Sequence, residues 1–151
     1  MTITRANAEA VLIKRTGPLL PVAGLDGTTV SGNNADLGDP IAFGLRQLGL
    51  TVATPASPTD AEVATATADD LDQLLDMAEI RIYQTVLNHV LDLVNTEAGS
   101  RVDEYSHLAN GIQLRLDRAE LRARRLYGWT AGTLESSYLY HDFAAHGDDD
   151  D

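Results

Sequence analysis

The sequence contains no cysteine, so disulfide bonds and thiolate chemistry are excluded. Aromatic residues make up only 5% of the 151 residues, and any core must therefore consist mainly of leucine, valine, isoleucine and alanine. No apolar run approaches the roughly 20 residues of a membrane-spanning helix. The N-terminal region also lacks the apolar segment of a secretory signal. We therefore expect a protein of the cytoplasm, or of a particle assembled there.

Basic residues are scarce. The chain has 11 lysines and arginines against 23 aspartates and glutamates, for a formal net charge of −12. This balance argues against binding to the phosphate backbone of nucleic acids and against adhesion to anionic membranes, because both depend on basic side chains. With 44% apolar residues, the length suits one domain with a modest core.

The sequence lacks the common motifs of catalysis and cofactor binding. It has no phosphate-binding loop, no dinucleotide fingerprint and no nucleophile elbow. The Asp- and Asn-rich stretch 26–39 does not match a calcium-binding loop and is more typical of turns. The histidines lack metal-ligand spacing, apart from a loose trio of His141, Asp142 and His146, and we interpret His89 as a core residue. We therefore predict a protein that is not an enzyme and has no cofactor or metal.

The stretch on which the rest of the chain depends is 67–95, which we predict to be one long helix capped by Thr67 and Asp70. Its apolar residues form two stripes at helical spacing. The first stripe contains Leu71, Leu74, Leu75, Ala78, Ile82, Thr85, His89 and Leu93. The second contains Met77, Ile80, Leu87, Leu91 and Val94. Such a helix needs two partners, and the second must be another part of the chain or another copy of it.

A second long helix is predicted over 100–127, with Gly128 as its C-cap. The short turn around Gly99 favours an antiparallel pair with the first long helix. Leu114 and Leu121 lie off the main apolar face and offer a second place for a partner. That main face consists of Tyr105, Leu108, Ala109, Ile112, Leu116, Ala119, Ala123 and Leu126.

The N-terminal third is predicted to hold short helices. The first covers 4–15, is capped by Thr4 and ends at Gly17. A glycine-rich loop follows over 17–39. Asp39 and Pro40 then open a second helix that ends at Gly49. A capping box at 59–62 starts a third.

The charges are segregated along the chain. Residues 60–79 contain seven acids and no base, whereas five arginines fall within 115–125. Salt bridges along the helix faces would account for this pattern. Alternatively, the basic end of one subunit meets an acidic end of another subunit or partner.

The last residues, 129–151, concentrate aromatic side chains and end in an acidic run. We predict an extended partner-binding tail, separate from a single helical domain over 1–128, with a short strand at 138–140. The alternative is a tail that folds back on its own helix pair. The predicted binding side chains are Trp129, Leu134, Tyr138, Leu139, Tyr140 and Phe143.

Several turn and packing patterns resemble one protein family. They are Leu-Asp-Gly-Thr at 25–28, Asn-Ala-Asp-Leu at 34–37 followed by Asp-Pro-Ile at 39–41, and Leu-Arg-Gln-Leu-Gly at 45–49. The likeness continues through 71–93 and the arginine-rich helix that ends at 125–128. In these features the chain resembles the head-to-tail adaptor (connector) proteins of tailed bacteriophages and prophages.

The resemblance implies a small, mainly α-helical fold and a ring of twelve copies in the neck of the virion. Such a ring lies below the portal protein, extends the DNA channel toward the tail and contacts further neck or tail-completion proteins. Double-stranded DNA passes through it without sequence-specific binding. In the family the C-terminal segment commonly grips the portal.

Three sets of site residues follow from this reading. The tail side chains would bind the portal. Acids that would face the channel are Asp69, Asp70, Asp72 and Asp76. Residues that would join subunits are Met77, Ile80, Leu87, Leu91, Arg118, Arg122 and Arg125. The main alternative is a free-standing acidic helical protein that binds a basic partner, as a DNA mimic or a regulator does.

Overall fold

The computed structural model describes residues 2–96 and 100–129. Within these ranges the chain forms five α-helices and a short 3₁₀-helix, Leu20–Ala23. The helices are α1 (Arg5–Thr16), α2 (Ala35–Gln47), α3 (Asp60–Val63), α4 (Leu71–Thr96) and α5 (Ser100–Tyr127). The predicted mainly helical fold with two long packed helices is confirmed. The predicted turn at 97–99 and the tail after Trp129, with its strand at 138–140, lie outside the described residues.

Local capping chemistry sets the ends of several helices as predicted. The Thr4 hydroxyl accepts from the Asn7 N–H at the start of α1, and the Gly17 N–H donates to the Ile13 carbonyl at its end. α3 begins with a complete capping box between Thr59 and Glu62. These ends depend on groups close in sequence, so they were predictable from sequence.

The segment 17–39 is more structured than predicted. It contains the 3₁₀-helix, and α2 begins at Ala35 rather than at Pro40. Asn34 is the cap, because its side-chain oxygen accepts from the Asp36 N–H at 3.0 Å. The prediction that Asp39 caps this helix was wrong. Asp39 instead accepts a 2.8 Å hydrogen bond from Arg81 of α4.

α4 begins at Leu71, four residues later than predicted. Thr67 does bond to Asp70, accepting from its N–H at 3.3 Å and donating to its carboxylate at 2.7 Å. These bonds close a separate turn that precedes the helix. α5 has the predicted bounds, and Gly128 follows it with a φ of +64°, the left-handed conformation expected of a glycine after a helix.

α4 lies at the centre of the fold. One side packs against α5, and the other packs against α1, α2 and the 3₁₀-helix. Gly44 allows the close approach of α2, because a Cβ there would stand 2.5 Å from the carbonyl oxygen of Leu74. Both apolar stripes of α4 are therefore covered by the same chain over most of the helix. Among the described residues, no helix is apolar and long enough to cross a membrane.

The coverage ends near Val90, the last buried residue of α4. The first stripe already reaches solvent before that point, and the interpretation of His89 as a core histidine was wrong, since His89 is exposed. Thr85 is exposed too. On α5 the prediction fails at Leu126, which is 59% exposed although its neighbours Ala119 and Ala123 pack inward.

Candidate functional site

The most distinctive surface is the side of α5 that points away from the core. Positions 114, 118, 121 and 125 recur at steps of four, three and four residues and so share one face of the helix. That face lies opposite the buried Ala109, Ile112, Leu116 and Ala123. We call it the α5 outer face: Leu114, Arg118, Leu121 and Arg125, with Arg115, Arg122 and Leu126 along one edge.

Two leucines on the α5 outer face are exposed to an extent unusual for a described apolar residue of this chain. Leu114 is 57% exposed and Leu121 is 47% exposed. Seven residues along a helix correspond to a separation of about 10 Å. A shallow cavity of about 240 Å³ lies beside Leu121, between it and Leu126, and is bordered by Arg118, Arg122 and Arg125. An apolar strip flanked by cations is typical of an interaction surface.

The arginines of this surface have few partners. Arg122 approaches Asp76 at 3.5 Å, but Arg115, Arg118, Arg124 and Arg125 form no ion pair within the described part of the chain. All five are exposed. The predicted salt bridges along the face of α5 are therefore not formed there. The positive charge of the face is available to another group.

A cleft of about 240 Å³ adjoins the α5 outer face, between α4 and α5. Its lining contains both acids and bases: Asp76, Glu79, Tyr83, Arg115, Arg118, Ala119 and Arg122. Arg15 of α1 crosses its acidic side, at 3.0 Å from Asp76 and 3.2 Å from Glu79. Arg15 thus offsets one of the two acidic charges of the cleft, and of the three arginines that line the cleft only Arg122 forms an ion pair with a described residue.

Two tyrosines border the acidic wall. The Tyr127 hydroxyl donates to Asp76 at 2.9 Å, and the Tyr83 hydroxyl donates to Glu79 at 2.7 Å. Burial, together with the hydrogen bond to Asp76, raises the pKa of Tyr127 to about 12. Burial and the bond to Glu79 likewise raise the pKa of Tyr83. Both hydroxyls remain protonated donors that hold the carboxylates in place.

The predicted channel-facing acids do not form one surface. Asp69 and Asp72 are exposed and Asp70 is half-buried. The prediction that Asp76 faces the channel has to be corrected. Its side chain is only 7% exposed and is held by Arg15 and Tyr127. An acid bound in this way cannot face a channel.

The residues predicted to join subunits also fall into a buried group and an exposed group. Met77, Ile80 and Leu87 are buried in the core of their own chain, so their assignment to a subunit interface was wrong. The second stripe is covered within the chain, and Leu87, for example, borders a cavity together with Leu116 of α5. Leu91 is exposed, and so are Arg118, Arg122 and Arg125.

Of the predicted portal-binding side chains, only Trp129 lies among the described residues. It packs half-buried against the core, and its indole N–H donates to the side-chain oxygen of Gln47 at 2.9 Å. Leu134, Tyr138, Leu139, Tyr140 and Phe143 lie outside the described residues. Trp129 thus marks the point where the described body passes into the predicted tail.

Sequence reasoning missed a buried ion pair between Arg5 and Glu9, although their spacing of four residues on α1 was a signal. The Glu9 carboxylate also accepts from the backbone N–H groups of Ser31, Gly32 and Asn34. The Arg5 guanidinium donates to the carbonyl oxygens of Asn34 and Pro58. These bonds give the polar loop before α2 a fixed shape.

Asp26 begins that loop and binds its turn. Its carboxylate accepts from the backbone N–H groups of Thr28 and Thr29, at 2.8 and 3.0 Å. Hydrogen bonds from Thr29 and Thr28 lower the pKa of Asp26 to about 2. The Asp- and Asn-rich loop therefore uses its acids for turns, as the sequence indicated.

The described residues do not bring together a candidate metal site. Within residues 2–96 and 100–129, no three histidine, cysteine, aspartate or glutamate side chains are placed to hold a metal ion. The best-formed surface is instead a basic and apolar helix face. Comparison of the chain with protein-family models, with curated proteins and with solved structures found no match.

Proposed function

We propose that this chain is a head-to-tail adaptor of a tailed bacteriophage or prophage. Copies of it form a ring below the portal protein and extend the DNA channel toward the tail. The observation that carries the proposal is the α5 outer face, where Leu114 and Leu121 are exposed between arginines of which only Arg122 forms an ion pair with a described residue. A solubly folded subunit gains little from such a face unless a neighbour covers it.

The distribution of charge supports a head-to-tail contact between copies. The basic face belongs to α5, whereas seven acids and no base fall within residues 60–79. A contact between two different surfaces of the same subunit can repeat from one copy to the next. The copies form a closed ring when the rotations between successive copies add up to a full turn. The resemblance in turn and packing patterns adds the family's ring of twelve copies and its place in the virion neck.

The corrected site residues fit the proposal as follows. Leu91 and the arginines of α5 join subunits, whereas Met77, Ile80 and Leu87 hold each subunit together. Asp69, Asp70 and Asp72 supply part of the negative charge past which DNA moves. The side chains of the tail bind the portal, with Trp129 at its base.

Native mass spectrometry of the full chain tests the proposal, alone and mixed with the portal protein of the same virus or prophage. We expect a ring of this chain on the portal. Leu121→Glu should abolish the ring. The NMR spectrum of the backbone amides should show that the variant subunit is still folded. Gln113→Glu, an exposed change off the α5 outer face, should leave the ring unchanged.

A chain that stays monomeric or dimeric and ignores the portal would contradict the proposal. That result would favour the free-standing acidic protein that binds a basic partner. The order of the neighbouring genes provides an independent check, since an adaptor is expected beside portal and capsid genes.

A further inference from the structure

The α5 outer face carries more positive charge than the described residues neutralise. Arg115, Arg118 and Arg125 are exposed and form no ion pair there, and Arg122 makes a single 3.5 Å contact. Leu121 and Leu126 lie between these arginines and border a shallow cavity. A ligand for this face must therefore present acids and apolar groups together.

The chain itself contains a segment of that chemistry. Residues 130–151 hold six of the 23 acidic residues and none of the 11 basic ones. Half of the net charge of −12 thus belongs to these 22 residues. The same segment carries the apolar side chains of Leu134, Tyr138, Leu139, Tyr140 and Phe143.

The segment also starts beside the face. Trp129 is four residues beyond Arg125 and is held to the body by its bond to Gln47. The arginines from 115 to 125 span about 15 Å of helix. The 19 residue steps from Trp129 to Asp148 span up to about 60 Å when the chain is extended, so the acidic run reaches every arginine of the face. A tether of this length gives a local concentration on the order of millimolar.

From these observations we infer that residues 130–151 dock onto the α5 outer face of their own chain. The carboxylates bind Arg118, Arg122 and Arg125, and the apolar side chains cover Leu121 and Leu126. In the isolated subunit this contact hides the face from other copies. A partner that takes up the segment uncovers the face, and this consequence for ring formation rests on the proposed function.

A spin label on the segment tests the contact in the full chain. Because the chain has no cysteine, Ala145→Cys provides a single attachment site. We expect the label to weaken the amide signals of residues 114–126 in the same molecule and to leave those of α1 unchanged. Adding salt to about 1 M, where charges are screened within about 3 Å, should restore part of the signal.

Matched variants identify the arginines that bind the segment. Arg118→Gln with Arg125→Gln should remove the signal loss on α5. Arg101→Gln, an exposed arginine at the start of the same helix and outside the face, should not change it. The amide spectrum of each unlabelled variant shows whether its fold is intact.

Three results would overturn the inference. The first is the absence of any selective signal loss on α5. The second is a loss of the same extent when isotope-labelled chains without the spin label are mixed with separate spin-labelled chains, which would assign the contact to a second copy. The third is loss that persists in the double arginine variant. None of these results bears on portal binding, which native mass spectrometry measures separately.

Discussion

The hydroxyl of Tyr127, the last residue of α5, donates to the carboxylate of Asp76 near the start of α4 over 2.9 Å. Arg15 of α1 binds the same carboxylate over 3.0 Å. One buried acid therefore joins three helices whose residues lie 51 and 61 positions away in the sequence. Asp76 thereby fixes the position of the end of α5, and of the basic face on that helix, relative to α1 and α4.

Replacing this acid should destabilise the fold. Asp76→Ala leaves Tyr127 without its acceptor and Arg15 with Glu79 alone, and we expect a loss of about 1.5–3 kcal/mol in the free energy of unfolding. The loss stays below that of a fully buried ion pair because both arginines near Asp76 reach water. Urea unfolding measures it. Asp92→Ala, at an exposed site of α4, should change stability by no more than about 0.5 kcal/mol.

The same contact predicts a dependence on alkaline pH. The pKa of Tyr127 is about 12 in the folded chain, against about 10 for a free tyrosine, so folding favours the protonated hydroxyl. The contribution of Tyr127 to stability is therefore complete below pH 10 and is lost as the pH rises toward 12. Between these values the stability of Tyr127→Phe should fall less steeply than that of the unmodified chain.

Thermal unfolding at several alkaline pH values measures these slopes. Tyr83, whose pKa is also raised, accounts for part of the remaining slope, and Tyr83→Phe should reduce it separately. Equal slopes for the unmodified chain and Tyr127→Phe would show that the hydrogen bond to Asp76 does not persist in solution.

Two leucines of the second stripe should respond differently to truncation. Leu87 is 7% exposed and Leu91 is 43% exposed, although they lie one turn apart. Leu87→Ala should cost about 2–5 kcal/mol, because it leaves a cavity between α4 and its partners. Leu91→Ala should stay within about 0.5 kcal/mol in the isolated subunit. Similar losses for the two variants would place Leu91 in the core as well.

Two helical glycines should respond with opposite signs to alanine. At Gly44 a new Cβ would meet the Leu74 carbonyl oxygen, so Gly44→Ala should separate α2 from α4 and cost about 1–3 kcal/mol. At Gly111 nothing lies within 4 Å of the new Cβ. Gly111→Ala should therefore stabilise α5 by about 0.5–1 kcal/mol, since alanine favours helices. Chemical denaturation of both variants provides the comparison.

Features that depend on neighbouring residues were predictable from the sequence. The cap at Thr4, the capping box of Thr59 with Glu62, and the end of α5 at Gly128 each use groups a few residues apart. The two long helices followed from their apolar periodicity in the same way. Leu114 and Leu121 were also found from spacing alone, because they lie off the stripe that packs on α4.

Features decided by distant residues were not predictable. Asp76 has the pattern of a solvated acid, and its contacts with the distant Arg15 and Tyr127 explain its burial. Asp39 has the sequence of a helix cap, but Arg81 of α4 engages its carboxylate while Asn34 caps α2. The sequence also left undecided what covers the second stripe. Periodicity shows which residues share a helix face, but it does not say whether the same chain or another copy packs on that face.

The bond between Trp129 and Gln47 also gives the chain a natural optical probe. Trp129 is the only tryptophan, so fluorescence excited in the indole band comes from a single known position. That position touches the end of α2 on one side and leads into residues 130–151 on the other. The emission of the unlabelled protein therefore responds to any event that moves the segment or loosens α2. Such an event can be followed in real time without altering a residue.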